Sequence, residues 1–132
     1  VTYHGPGQLV GYPIINLKKM GLGIRSYVSN IETLLIHVLY DYGIHASTRQ
    51  GLTGVWIENR KIASIGIRVS QWITTHGFAL NVNTDMDYFS NIISCGIDNV
   101  SMTSMEKELN KKICMKEIKE STISHFNDIF KQ

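Results

Sequence analysis

Cysteine, proline and net charge are all scarce in this chain, and each scarcity excludes something. Two cysteines among 132 residues, Cys95 and Cys114, build no disulfide framework, and their separation is not that of a metal site. A reducing compartment, the cytoplasm, is the expected setting. Two prolines, Pro6 and Pro13, allow no Pro-rich linker, and no repeat or low-complexity tract interrupts the chain. Residues 1–132 are therefore expected to form a single domain, long enough to bury a core. A formal net charge of +2 falls short of the dense basic face that a nucleic acid requires. No apolar run approaches the roughly 20 residues of a membrane span, and no signal-peptide pattern is visible. Neither a nucleic acid nor a membrane is an expected partner. Three catalytic signatures are missing as well: a glycine-rich phosphate loop ending in Lys-Ser/Thr, a serine nucleophile elbow and a His-Glu zinc motif. No metal is expected.

What is present is globular in character, with 43% hydrophobic and 18% charged residues. The chain opens Val1-Thr2-Tyr3-His4-Gly5 without an initiator Met, in what reads as the end of a strand, and sequence upstream of Val1 is expected. Gly5-Pro6-Gly7 is turn chemistry, and Leu9 to Ile15 reads as a short buried strand, with Pro13 limiting its ladder. Ile24, Tyr27, Ile31, Leu34, Leu35, Val38, Leu39 and Tyr42 recur at three and four residues, which marks an amphipathic helix stopped by Gly43. A β-rich middle follows. Leu52 to Glu58, Lys61 to Val69 and Ile73 to Val82 read as strands, with Asn59-Arg60 as a tight turn and the last strand half-buried by alternation. Thr84-Asp85 can cap a short helix through Ile92 or Ile93. Thr103-Ser104-Met105-Glu106 fits a capping box before a stripe of Met105, Leu109, Ile113 and Met115. A second short helix is expected around Ile123, Phe126, Ile129 and Phe130. Helices flank the strands in runs, so the class is α+β.

Four segments hold residue types that do chemistry. Cys95 stands in Ile93-Ser94-Cys95-Gly96-Ile97, where a turn beside Gly can expose the sulfur; the commoner use of such a Cys is as a small buried hydrophobe. For Cys114 the buried hydrophobe is the expected reading. Lys61 opens the strand Lys61-Ile62-Ala63-Ser64-Ile65-Gly66-Ile67, where partial desolvation would suit proton transfer; its plain alternative is a solvated lysine beside a turn. His76, in Thr75-His76-Gly77-Phe78-Ala79, can be an acid–base group, a substrate contact or a structural histidine. Tyr3-His4-Gly5-Pro6-Gly7-Gln8 can present backbone N–H groups to a carbonyl oxygen or carboxylate. Five lysines, Lys107, Lys111, Lys112, Lys116 and Lys119, interleave with Glu106, Glu108, Glu117 and Glu120, which reads as a solvated face rather than a docking surface for an acidic protein.

Together these segments resemble the lipoyl(octanoyl) transferase family. The resemblance runs through Val1 to Ile14, through Lys61-Ile-Ala-Ser-Ile-Gly-Ile-Arg-Val-Ser70, through His76-Gly-Phe-Ala-Leu-Asn-Val82, and through Cys95-Gly-Ile97 followed by Thr103-Ser104. It implies a fold like that of biotin and lipoate protein ligases, a mixed sheet flanked by helices, with this chain as the C-terminal portion of the full catalytic domain. It implies transfer of an octanoyl group from acyl carrier protein to a lysine of a lipoyl domain, in the E2 subunits of 2-oxoacid dehydrogenases or the glycine cleavage H protein. Cys95 would carry the acyl group as a thioester, Lys61 would manage the protons, and no cofactor would be needed because the amide is more stable than the thioester. Carried over by position, the acyl contacts fall on Val1, Thr2, Tyr3 and His4, on Ser64, Ile65 and Gly66, and on Gly77, Phe78 and Ala79. Ser94 departs from the family, which usually has Pro there. Two other readings stand beside this one: an ATP-dependent lipoate ligase, which would not need Cys95, and a non-catalytic homologue that binds lipoyl domains.

Overall fold

The computed structural model describes residues 5–86 and 101–131. Their strands form one six-stranded mixed sheet. β1 (Gln8–Gly11), β5 (Ile73–Asn81), β4 (Arg60–Ser70), β3 (Leu52–Ile57) and β2 (Ser47–Arg49) lie side by side in that order, each antiparallel to its neighbour. The short β6 (Ser101–Met102) joins β4 in parallel. The helices are α1 (Leu17–Met20), α2 (Ile24–Asp41), α3 (Met105–Leu109) and α4 (Met115–Ile129). α2 packs on the sheet and α4 packs on α2, so the α+β class and the sheet-with-helices architecture stand as expected.

α2 follows directly from its spacing. Tyr27, Ile31, Leu34, Leu35, Val38 and Leu39 are all buried, each worth about 2 kcal/mol of transfer free energy. That outweighs the modest helix propensity of the Tyr, Ile and Val among them. Tyr42 caps the helix, and Gly43, at φ +79°, turns the chain out of it. Ile24, at the first turn, is exposed rather than part of the stripe. Under α2 lie Leu9, Val55, Ile62, Ala63, Phe78, Leu80 and Val82, the apolar face of the sheet.

Several expectations need correction. The first strand ends at Gly11, not Ile15. Pro13 offers no N–H to the ladder, and the Thr74 hydroxyl takes over, accepting from Ile15 N–H at 2.8 Å and donating to the Pro13 carbonyl at 3.0 Å. The turn before β4 is Glu58-Asn59, with Glu58 at φ +54°, and Arg60 is already strand. From Gly77 onward β5 is buried on both faces: Ala79 and Asn81 are as inaccessible as Phe78 and Leu80. Asn81 is covered because its amide bridges β1 to the chain after β6, accepting from Gln8 and donating to the Thr103 carbonyl. The cap of α3 is Ser104, whose hydroxyl accepts from Lys107 N–H, while the Thr103 hydroxyl donates to Glu108. Finally, Asn110 in the left-handed region ends α3, so the stripe from Met105 to Met115 is broken. α4 then runs for 15 residues from the N-cap Cys114, which is exposed rather than buried. Ile123, expected on its apolar side, is 61% exposed, and Ile118 and Thr122 are the buried positions.

The expected helix after Thr84-Asp85 lies mostly outside the described residues. Among the described residues no helix is long and apolar enough to cross a membrane.

Candidate active site

Lys61 is 4% exposed, so it is a buried lysine and not a solvated one at a turn. Its direction is set by a bulge. Val55 pairs with Ala63, but the next residue, Trp56, pairs with Lys61, which leaves Ile62 as the extra residue on β4. Strict alternation would put Lys61 on the same face as Ala63, in the apolar core. The bulge turns it to the opposite face instead, where it meets Trp56, and its ammonium lies 5.4 Å from the centre of the indole. Among the described residues no carboxylate is within salt-bridge distance of it.

The two described groups of expected acyl contacts meet across one strand pair. Ser64 is opposite Ala79, Ile65 opposite Phe78, and Gly66 opposite Gly77. Alternation then divides them. Ile65 and Phe78 turn toward the core, whereas Ser64 and Ala79 take the face that Lys61 reaches. Gly66 is exposed with open space where a side chain would stand. Gly77 has no such space: a Cβ there would fall 1.8 Å from the Gly11 carbonyl oxygen. His76 is exposed, opposite Ile67, with its backbone at φ +61°. The catalytic expectation for Cys95 and the acyl contacts expected of Val1, Thr2, Tyr3 and His4 lie outside the described residues, as does Ser94.

A polar clasp holds the chain after β6 against Lys61. Ser101 and Met102 pair with Arg60 and Lys61, and Thr103 N–H donates to the Lys61 carbonyl at 2.9 Å. Next to it the Arg60 guanidinium makes a two-pronged ion pair with Glu108, both contacts at 2.9 Å, and also reaches Glu58. The hydrogen bonds from Arg60 hold the Glu108 carboxyl below its ordinary value of 4.5, partly opposed by burial and helped by Thr103. A carboxyl lowered in the folded state adds stability that is present above its unfolded value and lost as pH falls through the folded value. Glu108→Gln is therefore expected to lower the urea midpoint at pH 7 and to lose less between pH 5 and pH 3 than the parent protein. Equal acid sensitivity in both proteins would remove Glu108 from the account.

Trp56, Gly54 and the Arg60–Glu108 pair were not singled out by the sequence pattern. The signal that could have found Trp56 is the turn: with Glu58-Asn59 at its tip, Ile57 meets Arg60 and Trp56 meets Lys61.

The family model of the lipoyl protein ligase A/B catalytic domain matches residues 1–127. An octanoyltransferase of Cytophaga hutchinsonii is 47% identical over 136 aligned residues, which cover 98% of this chain and 56% of that protein. The chain thus spans just over half the length of the curated relatives it matches. Among solved structures, the biotin protein ligase of Aquifex aeolicus superposes with a TM-score of 0.75 at 17% identity, covering 95% of this chain and 53% of that one. A bi-partite lipoate protein ligase of Thermoplasma acidophilum does so with a TM-score of 0.70, also at 17% identity, over 96% of this chain and 52% of that one. At such identities these two speak for the fold alone, but the family match spans nearly the whole sequence, and the chain belongs to the lipoyl protein ligase A/B catalytic domain family.

Proposed function

We propose that this chain carries the catalytic residues of an octanoyltransferase, which moves an octanoyl group from acyl carrier protein to a lysine of a lipoyl domain. The observation that carries the reading is the buried Lys61, turned away from the core onto the face shared by Ser64 and Ala79. Identity to curated octanoyltransferases supports the acyl group and the class of reaction. In the proposed reaction the Cys95 thiolate attacks the thioester carbonyl, and the carrier leaves as a thiol. The acceptor amine then attacks the acyl-enzyme, forms the amide and releases the thiolate. Lys61 takes up and returns the protons that these two steps exchange. Small side chains at Ser64 and Ala79 suit a thin acyl chain. The acceptors would be lipoyl domains of 2-oxoacid dehydrogenase E2 subunits and the H protein, in the cytoplasm.

The test is intact mass spectrometry of the full-length protein after mixing with octanoyl-acyl carrier protein. One octanoyl group should appear on the parent protein and none on Cys95→Ser. An adduct that survives in Cys95→Ser, or none in either, would end the thioester mechanism. Transfer from free octanoate that requires ATP would point to the ligase reading instead.

A further inference from the structure

We propose that Gly54 and Trp56 of β3 form a seat that positions the Lys61 ammonium, so that Trp56 is a positioning residue and not core filling. The inference rests on the proton-transfer reading of Lys61. Trp56 is fully buried, yet it lies outside the apolar cluster beneath α2. Its neighbour Val55 pairs into that cluster, so Trp56 takes the other face, where the bulge at Ile62 sets Lys61 opposite it. The stem of Lys61 needs room there, and Gly54 supplies it. A Cβ on Gly54 would fall 2.9 Å from Lys61 Cε, 2.9 Å from the Ala63 carbonyl oxygen and 3.1 Å from Trp56 Cη2. The backbone of Gly54 stands at φ +142°, a conformation that side chains disfavour.

The kind of support matters for the chemistry. A buried ammonium must be compensated. An aspartate or glutamate would do so by accepting its N–H groups, and would compete for the proton that Lys61 is to hand on. An indole face attracts the cation without accepting a hydrogen bond from it in the usual sense, and leaves its N–H groups free for a reacting partner. Trp is the aromatic with the strongest face for this purpose. The indole N–H itself has no partner among the described residues. A tryptophan kept only to fill space ordinarily satisfies that group, so its being unpaired among the described residues calls for a role that a large apolar side chain without an aromatic face would not serve.

The test compares Trp56→Phe with Trp56→Met in the full-length protein, because Met approaches Phe in volume but has no ring. For transfer from octanoyl-acyl carrier protein to a lipoyl domain, Trp56→Met should lose about thirtyfold in kcat, the worth of one desolvated cation–π contact, with KM for the donor little changed. Trp56→Phe should keep most of the parent rate. A second readout needs no activity. The Lys61 side-chain methylene signals, identified by their loss in Lys61→Arg, should be shifted upfield by the indole ring in the parent protein, remain shifted in Trp56→Phe and return to ordinary positions in Trp56→Met. Equal rate losses in the two variants, or unshifted Lys61 signals in the parent, would overturn the seat. Signals that behave as expected in a protein that transfers no octanoyl group would uphold the seat and overturn the functional reading instead.

Discussion

Lys61→Met is expected to lose octanoyl transfer by about three orders of magnitude, the middle of the range for removing a positioned acid–base group, while the protein stays folded. Met keeps the unbranched stem that lies between Gly54 and the indole, so the packing of β3 on β4 should survive. What is lost is the ammonium and its proton. Lys61→Arg separates the two. Arginine retains the charge but does not give up a proton at any pH the fold tolerates, and its planar head is larger than the ammonium it replaces. If Lys61 acts only by attracting a thiolate, Arg should recover much of the rate. If it relays protons, as proposed, Arg should be as impaired as Met. Single-turnover transfer to a lipoyl domain, with circular dichroism melting of each variant, makes the measurement. A Lys61→Met protein within a few-fold of the parent rate would take Lys61 out of the chemistry.

Burial of Lys61 was within reach of sequence reasoning, since the residue opens an apolar strand, but its direction was not. Side-chain direction in a strand depends on register, and a one-residue change reverses it. Placing the turn at Asn59-Arg60 would set Trp56 against Ala63. The actual turn at Glu58-Asn59 sets it against Lys61, and the bulge at Ile62 then restores Val55 to Ala63. Glu58 at positive φ gives no compositional hint, because glutamate is not a residue that marks left-handed backbone. α2 was legible because a single stripe of large apolar residues, Tyr27 to Leu39, is buried between the sheet and α4. α4 was not, because its buried side is narrow: Ile118 and Thr122 within it, with Phe130 just past its end. Lysines and glutamates fill most of the rest of its first half, so the stripe is too thin to separate from the solvated positions. The pairing of Ser64–Gly66 with Gly77–Ala79 follows from reading two adjacent strands and a short hairpin correctly. The hairpin tip, Gln71-Trp72, has both residues at positive φ, the geometry of a tight two-residue connection, although neither residue type advertises it.

Gly77→Ala is expected to cost about 3 kcal/mol of folding stability, the upper end of overpacking penalties and a large share of a margin of roughly 5–15 kcal/mol. The reason is what the missing side chain faces. An added Cβ would stand 1.8 Å from the Gly11 carbonyl oxygen, 2.9 Å from the Gly11 carbonyl carbon and 3.0 Å from Pro13 Cδ. Backbone cannot swing aside, and Pro13 has little freedom to follow. His76, held at φ +61°, steers the chain into this close approach, so β5 is poorly placed to relieve it by rotating. Gly11→Ala is the informative control. Its Cβ would meet the Phe78 ring, 2.3 Å from Cζ and 2.4 Å from Cε2. A ring can turn about its own torsions, so this variant should cost less than Gly77→Ala despite a comparable overlap. Urea unfolding of both variants measures the difference. The larger loss should also loosen β1, visible as faster amide exchange at Leu9 and Gly11 and weakening of the Gln8–Asn81 hydrogen bond. Equal costs would mean that β1 slides as a unit to relieve either clash. The Gly11–Gly77 contact would then be a convenience of packing and not the constraint that fixes β1 against β5.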